Sequence, residues 1–344
     1  MQRVETERLS VDVADASVYH PQIIRAGGML RDGKLVAFPT ETVYGLGAKA
    51  LDERAVERIF EAKGRPAWDP IIVHVSDAEM AQTLMTDVTE MFDRLQREFW
   101  PGPLTLLVRK NGSVPDIVTA GRANVGLRMP AHPTAQALIR SAGLPVAAPS
   151  ANLFSRPSPT TASHVLEDLN GRIDAVIDSG RTRIGVESTV LDITQSPPVL
   201  YRPGGITREQ IEAVIGPVVV YGTKERAATE PLPSPGVGLR HYAPRARLIL
   251  VEGGLVELVS AAREQKDAPE RVGILVPTDW KIAELKPYAV FPWGQWGDWD
   301  QLAERLFLAI RYLDERGVEC ILAPLPDDSG MGAAVRDRLQ KAAR

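Results

Sequence analysis

The chain of 344 residues carries 40 Lys+Arg against 44 Asp+Glu, a net charge of −4, with 44% hydrophobic and 24% charged residues. This balance is that of an ordinary globular protein and argues against a general nucleic-acid binder, which normally shows a basic footprint. A single cysteine, Cys320, excludes an internal disulfide framework and a cysteine-built zinc site, and five scattered histidines without an HExxH pattern argue against a histidine metal site. No uninterrupted apolar stretch is long enough to span a membrane, and the opening segment MQRVETERLSVDVADASVYH has no apolar core. A cytoplasmic protein without membrane contact is expected.

In chain order, the first strand-like run is 35–38, inside KLVAFPTETVYGLGAKA. It breaks at Pro39 into Thr40-Glu41-Thr42-Val43 and then Tyr44-Gly45-Leu46-Gly47. That is either a plain turn or a backbone that a ligand must approach closely. Just upstream, GMLRDGKL lacks the Ser or Thr that a phosphate-binding loop needs, because Leu35 stands there, and it opens a strand instead of a helix. A helix is expected after Asp52, an N-cap, with Ala55, Ile59 and Ala62 on its apolar side. It ends at Lys63-Gly64-Arg65, where cations offset the helix dipole and glycine closes the last turn.

Further strands are expected at 71–75, 104–108, 125–129, 146–148, 175–177, 189–193 and 199–201, and further helices at 87–99, 133–141, 162–169 and 208–215. Strands that follow one another directly, as at 189–201, predict a mixed sheet. His74 alternates with Val73 and Val75 and faces away from them. Arg128, between Leu127 and Met129, either points to solvent or meets an anion. Ser150, Asn152, Ser155, Arg156 and Ser158 follow a strand of small residues, Ser188 and Thr189 open a strand, and Arg202 ends one. Lys63, Arg65, Arg128, Arg156 and Arg202 thus fall at strand ends or edges, a local concentration of cations suited to a nucleoside triphosphate.

From about Gly216 to Arg245 periodicity lapses into a Pro- and Gly-rich stretch, either a tether or a functional lid. Beyond it, strand-like runs at 247–252, 271–277, 288–292 and 319–325 alternate with helices. The clearest helix is 298–316, with Leu302, Leu306, Ala309, Ile310 and Leu313 on one side. This pattern predicts a small Rossmann-like parallel sheet.

FPTETVYGLG, KGRP, PGPLTLL, LRMPAHP, APSAN, and ESTVLD with YRPG resemble, in order, the motifs of the YrdC-like domain of threonylcarbamoyl-AMP synthases. SPGVGLRHYAP and the domain after it resemble the long, two-domain form of that family. The resemblance implies an α/β YrdC-like catalytic domain at 1–215, with a twisted mixed β-sheet flanked by helices. It implies a linker or lid at 216–245 and a small Rossmann-like parallel α/β domain at 246–344. The activity implied joins L-threonine, bicarbonate and ATP into threonylcarbamoyl-AMP and pyrophosphate. The product then passes to a separate machinery that modifies the adenosine beside the anticodon of certain tRNAs.

By the same resemblance Thr42, His74, Arg128 and Ser188 surround L-threonine. Lys63 and Arg65 are the catalytic cations on the triphosphate. Asp69, Asn124, Ser150, Asn152, Ser158 and Arg202, with Ser234, His241 and Tyr242 from the linker, contact ATP. Magnesium would arrive with ATP, without an assigned protein ligand, and no tightly bound cofactor is implied. The family usually has asparagine where this chain has Asp69, a carboxylate that cannot donate to ATP but could accept from ribose or hold magnesium. Two other readings stand beside this one: a double-stranded RNA-binding module, or a weak RNA contact of the enzyme, and a carbamoyl-adenylating enzyme of hydrogenase maturation. The balanced charge weakens the first, and the single cysteine speaks against the second.

Overall fold

The computed structural model describes residues 5–222, 232–234, 236–238, 241–281, 285 and 287–343. Two compact units make up the chain. The first comprises Met1–Phe154, Pro159–Arg183 and Glu187–Gly238, and the second Ser155–Ser158, Ile184–Val186 and Leu239–Arg344.

The strands of the first unit are β1 (Glu7–Ser10), β2 (Val36–Pro39), β3 (Tyr44–Lys49), β4 (Ile72–His74), β5 (Leu104–Arg109), β6 (Asn124–Arg128), β7 (Val146–Ala147), β8 (Ala175–Asp178), β9 (Thr189–Asp192), β10 (Val199–Arg202) and β11 (Val219–Val220). Its helices are α1 (Pro21–Arg31), α2 (Glu53–Lys63), α3 (Ala78–Gln82), α4 (Glu90–Phe99), α5 (Asp116–Thr119), α6 (Pro133–Ala142), α7 (Ala162–Leu169) and α8 (Arg208–Ile215). The strands form one mixed sheet in the order β1-β8-β2-β3-β7-β4-β6-β5-β9-β10-β11. Alternate residues of β2 enter different cores. Leu35 and Ala37 join Val56 and Ile59 of α2, whereas Val36 and Phe38 join residues of α1 and α6. A strand buried on both faces reads as a continuous apolar run, as this one does.

Most expected elements are present within a residue or two. Asp52 caps α2, its side chain accepting from the amides of Arg54 and Ala55. Thr207 and Gln210 form a reciprocal capping box on α8.

Six elements of this unit lie outside the periodicity reading, β1, β3, β11, α1, α3 and α5, and three of them have a clear physical reason. Residues 44–47, read either as part of a turn or as backbone that a ligand approaches, belong to the strand β3, antiparallel to β2. Its glycines serve close strand packing: a Cβ on Gly47 would lie 2.9 Å from Phe38 Cε1 and 3.0 Å from Val146 Cγ1. Helix α1 was not expected, because Gly27 and Gly28 interrupt its pattern. A Cβ on Gly27 would meet Ser141 Oγ at 2.7 Å, so the glycine lets α1 lie close to the end of α6. Strand β1 pairs in parallel with β8 and was too short to show periodicity.

The second unit contains β12 (Arg247–Val251), β13 (Val272–Pro277), β14 (Ala289–Gly294) and β15 (Cys320–Pro324), with α9 (Leu255–Arg263), α10 (Trp299–Glu315) and α11 (Gly330–Ala342). The sheet order is β12-β15-β13-β14 and every pairing is parallel, as expected. Arg311 on α10 donates to the carbonyl of Pro157 at 2.6 Å, and Asp314 accepts from the amides of Arg245 and Ala246 at 2.7 and 3.0 Å. Arg156 sits 3.4 Å from Asp314, so it belongs with this unit and not with the other strand-end cations. Among the described residues, no helix is long and apolar enough to cross a membrane.

Candidate active site

Strands β4 and β6 are parallel neighbours, and their register sets His74 beside Arg128. Both are buried. Arg128 neither reaches solvent nor stands alone. Its Nε donates to the Gly102 carbonyl at 3.3 Å, and its Nη2 donates to Glu41 Oε1 at 2.7 Å and Thr42 Oγ1 at 3.0 Å. None of these bonds uses Nη1. Glu41 Oε2 accepts from the Ala131 amide at 3.1 Å, so both carboxylate oxygens are committed. Thr42 Oγ1 lies 2.7 Å from Thr40 Oγ1, which in turn donates to the Val43 carbonyl. The PTET turn is therefore a buried, self-bonded hairpin whose polar groups converge on Arg128.

Glu41 was given no role in the sequence reading. The signal available there was a carboxylate in a segment flanked by buried runs, which implies a buried cation as partner.

His74 Nδ1 is buried and, among the described residues, has no hydrogen-bond partner. Burial first, and the neighbouring Arg128 charge second, hold its imidazole well below the ordinary histidine range, so the ring is neutral near pH 7. Ser188 Oγ sits 2.8 Å from Thr105 Oγ1 and accepts from Arg202 Nη2 at 3.1 Å, while Arg202 Nε donates to the Ser188 carbonyl at 3.0 Å.

Lys63 is not a solvated helix-end cation. Gly64 does close α2 in the left-handed conformation, with φ of 61°. The lysine, however, is 2% exposed, and its Nζ donates to the carbonyls of Ser150 and Asn152. Burial, with Arg65 adding, pushes its ammonium well below the ordinary lysine range. Arg65 donates to the carbonyls of Asp69 and Pro70 at 3.2 and 2.7 Å and pairs with Asp69 Oδ2 at 3.0 Å. Position 69, open in the sequence reading, thus holds a counter-ion for Arg65.

Asn124 stands at the other end of β6 from Arg128, roughly 13 Å away by strand rise, and its Nδ2 donates to Thr194 Oγ1 at 2.9 Å. It borders a narrow cleft with Pro70, Ile71, Leu107 and Pro233. That cleft brings Asn124 near the neighbours in sequence of Asp69 and of Ser234. The amide of Leu232 donates to the Trp68 carbonyl at 3.0 Å, tying this stretch to the turn after Arg65.

Ser158, His241 and Tyr242 belong to the second unit. There the Tyr242 ring packs 5.4 Å from Phe307 and lies under Arg338, and its backbone is left-handed, with φ of 63°. Pro235 and Arg240, also in the linker motif, lie outside the described residues.

Buried cations and hydroxyls on the strands and turns of a mixed sheet, joined in one chain to a parallel α/β unit, define a two-part α/β enzyme that handles anionic substrates. Residues 28–204 match the family model described as "Telomere recombination", and residues 206–344 match "Threonylcarbamoyl-AMP synthase, C-terminal domain". A threonylcarbamoyl-AMP synthase of Bacillus subtilis is 46% identical over 342 residues, covering 99% of this chain and 98% of its own. One from Pyrococcus abyssi is 46% identical over 324 residues, covering 92% of each. The crystal structure of Pyrococcus abyssi Sua5 complexed with L-threonine superposes with a TM-score of 0.86 at 43% identity, covering 99% of this chain and 97% of that one. The chain belongs to the threonylcarbamoyl-AMP synthase family, and its activity is that family's nucleotidyl transfer in tRNA modification. The RNA-binding-module and hydrogenase-maturation readings are set aside.

Proposed function

We propose that the first unit condenses L-threonine, bicarbonate and ATP, with the amino acid held by Thr42, His74, Arg128 and Ser188. The observation that carries this reading is the Arg128–His74 pair: a buried guanidinium fixed on two sides with Nη1 uncommitted, beside a buried neutral imidazole whose Nδ1 has no partner. The guanidinium suits a carboxylate. The imidazole, kept neutral by burial and by the Arg128 charge, sets a polar group without charge beside the amine, which must itself be neutral before it can attack. The amine and bicarbonate form a carbamate and water. A carbamate oxygen then attacks the α-phosphorus of ATP, and pyrophosphate leaves.

ATP would run from the cleft at Asn124 and Asp69 toward Lys63, Arg65, Ser150, Asn152 and Arg202. Ser158, Ser234, His241 and Tyr242 would complete its surroundings. Charge grows on the leaving pyrophosphate, so preorganised cations supply most of the acceleration. Arrival of a triphosphate would favour the charged form of Lys63, which burial disfavours in the free protein. Among the described residues no group of three or more His, Cys, Asp or Glu is arranged to hold a metal. Magnesium would enter with the phosphates. The catalytic domain would span 1–215, the linker or lid 216–245 and the accessory domain 246–344, with the product consumed by a separate tRNA-modifying machinery in the cytoplasm.

The test is pyrophosphate release from ATP. It should require threonine and bicarbonate together, and serine should be poorer by roughly 10- to 200-fold, the value of one methyl group in a fitted pocket. Equal turnover with glycine would reject the threonine pocket.

A further inference from the structure

Four of the chain's six tryptophans fall within 280–299 in the second unit; Trp293 is buried in β14, and the other three, Trp280, Trp296 and Trp299, lie together. They follow the carboxyl ends of β13 and β14, adjacent strands of an all-parallel sheet. Trp296 is central: its ring lies 5.2 Å from that of Trp280 and 5.1 Å from that of Trp299. All three are half-buried. The carboxyl ends of parallel strands are where open α/β sheets bind their ligands.

The loops that carry this row are acidic. Asp279 accepts from the Trp296 amide at 2.8 Å, and Asp300 follows Trp299 directly. A Cβ on Gly332 would touch both the Asp327 carbonyl and the Trp299 ring, which brings the start of α11, with Asp327 and Asp328, to the same place. These aspartates are all exposed; among the described residues of the loops 278–288, 295–300 and 326–329 the one basic residue is Lys281, and Arg336 of α11 donates to the Pro326 carbonyl at 2.8 Å. Helix capping explains carboxylates at the start of α10 and α11. It does not explain three half-buried indoles in tilted and edge-to-face contact beside them.

We infer that this row of tryptophans is a docking surface for a basic, arginine-containing segment of a partner protein. Indole faces attract guanidinium and ammonium groups, and exposed carboxylates add a field of the same sense. Three rings, with Trp296 about 5 Å from each of the others, suit successive side chains of an extended segment better than one small cation. The same carboxylates repel phosphate backbones, which sets nucleic acid aside although indoles also stack on bases.

The experiment uses the full-length protein and a fluorescein-labelled hexa-arginine peptide, with binding read by anisotropy and tryptophan quenching. Saturable binding that weakens with salt is expected. Trp280→Ala and Trp299→Ala should each weaken it about 3- to 30-fold, the range of a cation–π contact. Trp280→Phe should retain most of the affinity, and the Asp300→Asn/Asp327→Asn/Asp328→Asn triple variant should lose the salt dependence. Synthase activity serves as the folding control for every variant. The proposal is overturned by no binding, by binding that the tryptophan variants leave unchanged, or by poly-uridine RNA that binds and displaces the peptide.

Discussion

Arg128 Nη2 lies 2.7 Å from Glu41 Oε1, and both residues are buried. With its second oxygen on the Ala131 amide, Glu41 cannot swing away, so it fixes which edge of the guanidinium remains for a ligand. Glu41→Gln should therefore raise the KM for threonine about 10- to 100-fold, the value of a hydrogen bond to a charged group. The KM for ATP should change little. Initial-rate kinetics with each substrate varied in turn decide this. An unchanged threonine KM would show that Arg128 is held by backbone alone.

A second prediction concerns acid. The folded-state pKa of His74 lies below its ordinary 6.5, so on acidification the unfolded chain takes up the proton first. Stability should be fully developed above that value and should fall as pH drops below it. His132, also depressed chiefly by burial, adds in the same direction. His74→Asn should flatten part of the slope in urea midpoint against pH. A slope identical to that of the unsubstituted protein would mean that His74 does not carry it.

The KGRP cations should matter to folding as well as to catalysis. Lys63→Ala strips two buried carbonyls of their donor, at a cost of about 1–3 kcal/mol. Arg65→Ala leaves Asp69 as a buried charge without its counter-ion, at about 3–5 kcal/mol. Each should also lower kcat/KM by about two orders of magnitude or more. The pair Arg65→Met/Asp69→Leu separates the two effects: calorimetry should show stability largely restored while activity stays lost. Restored activity would remove Arg65 from the catalytic set.

Gly47→Ala tests the reading of β3. The added methyl would press on Phe38 and Val146 below van der Waals distance, and overpacking of this kind costs about 1–3 kcal/mol. Gly45→Ala, whose nearest neighbour would be at 3.4 Å, should be tolerated better. Denaturation midpoints of the two variants check the order.

The sheet and most helices were legible because apolar runs and caps are local signals. Glycines hid α1 and β3: in both, glycine stands where another element comes too close for a Cβ, and a crowding neighbour, Ser141 for Gly27 and Val146 for Gly47, is far along the chain. The site was legible as residues but not as contacts. Lys63 at a helix end reads as a surface cation, and only the tertiary structure shows its ammonium buried against two carbonyls. Asp69 read as a contact of ATP, and Glu41 carried no role beyond its place in the segment after Pro39. Each is the counter-ion of an arginine, a pairing that neither spacing nor periodicity encodes.

The bonds that shape the pocket join residues far apart along the chain: Lys63 to Ser150 and Arg128 to Glu41 are each separated by 87 positions, and Thr105 to Ser188 by 83. Closing such loops is among the slow, entropically costly events of folding. A nascent chain that has not yet exposed Ser150, or one cut before it, lacks the lysine's partners altogether. Substrate affinity should therefore emerge late and abruptly during synthesis, and capture of threonine by ribosome-bound chains of increasing length would time the completion of the whole sheet.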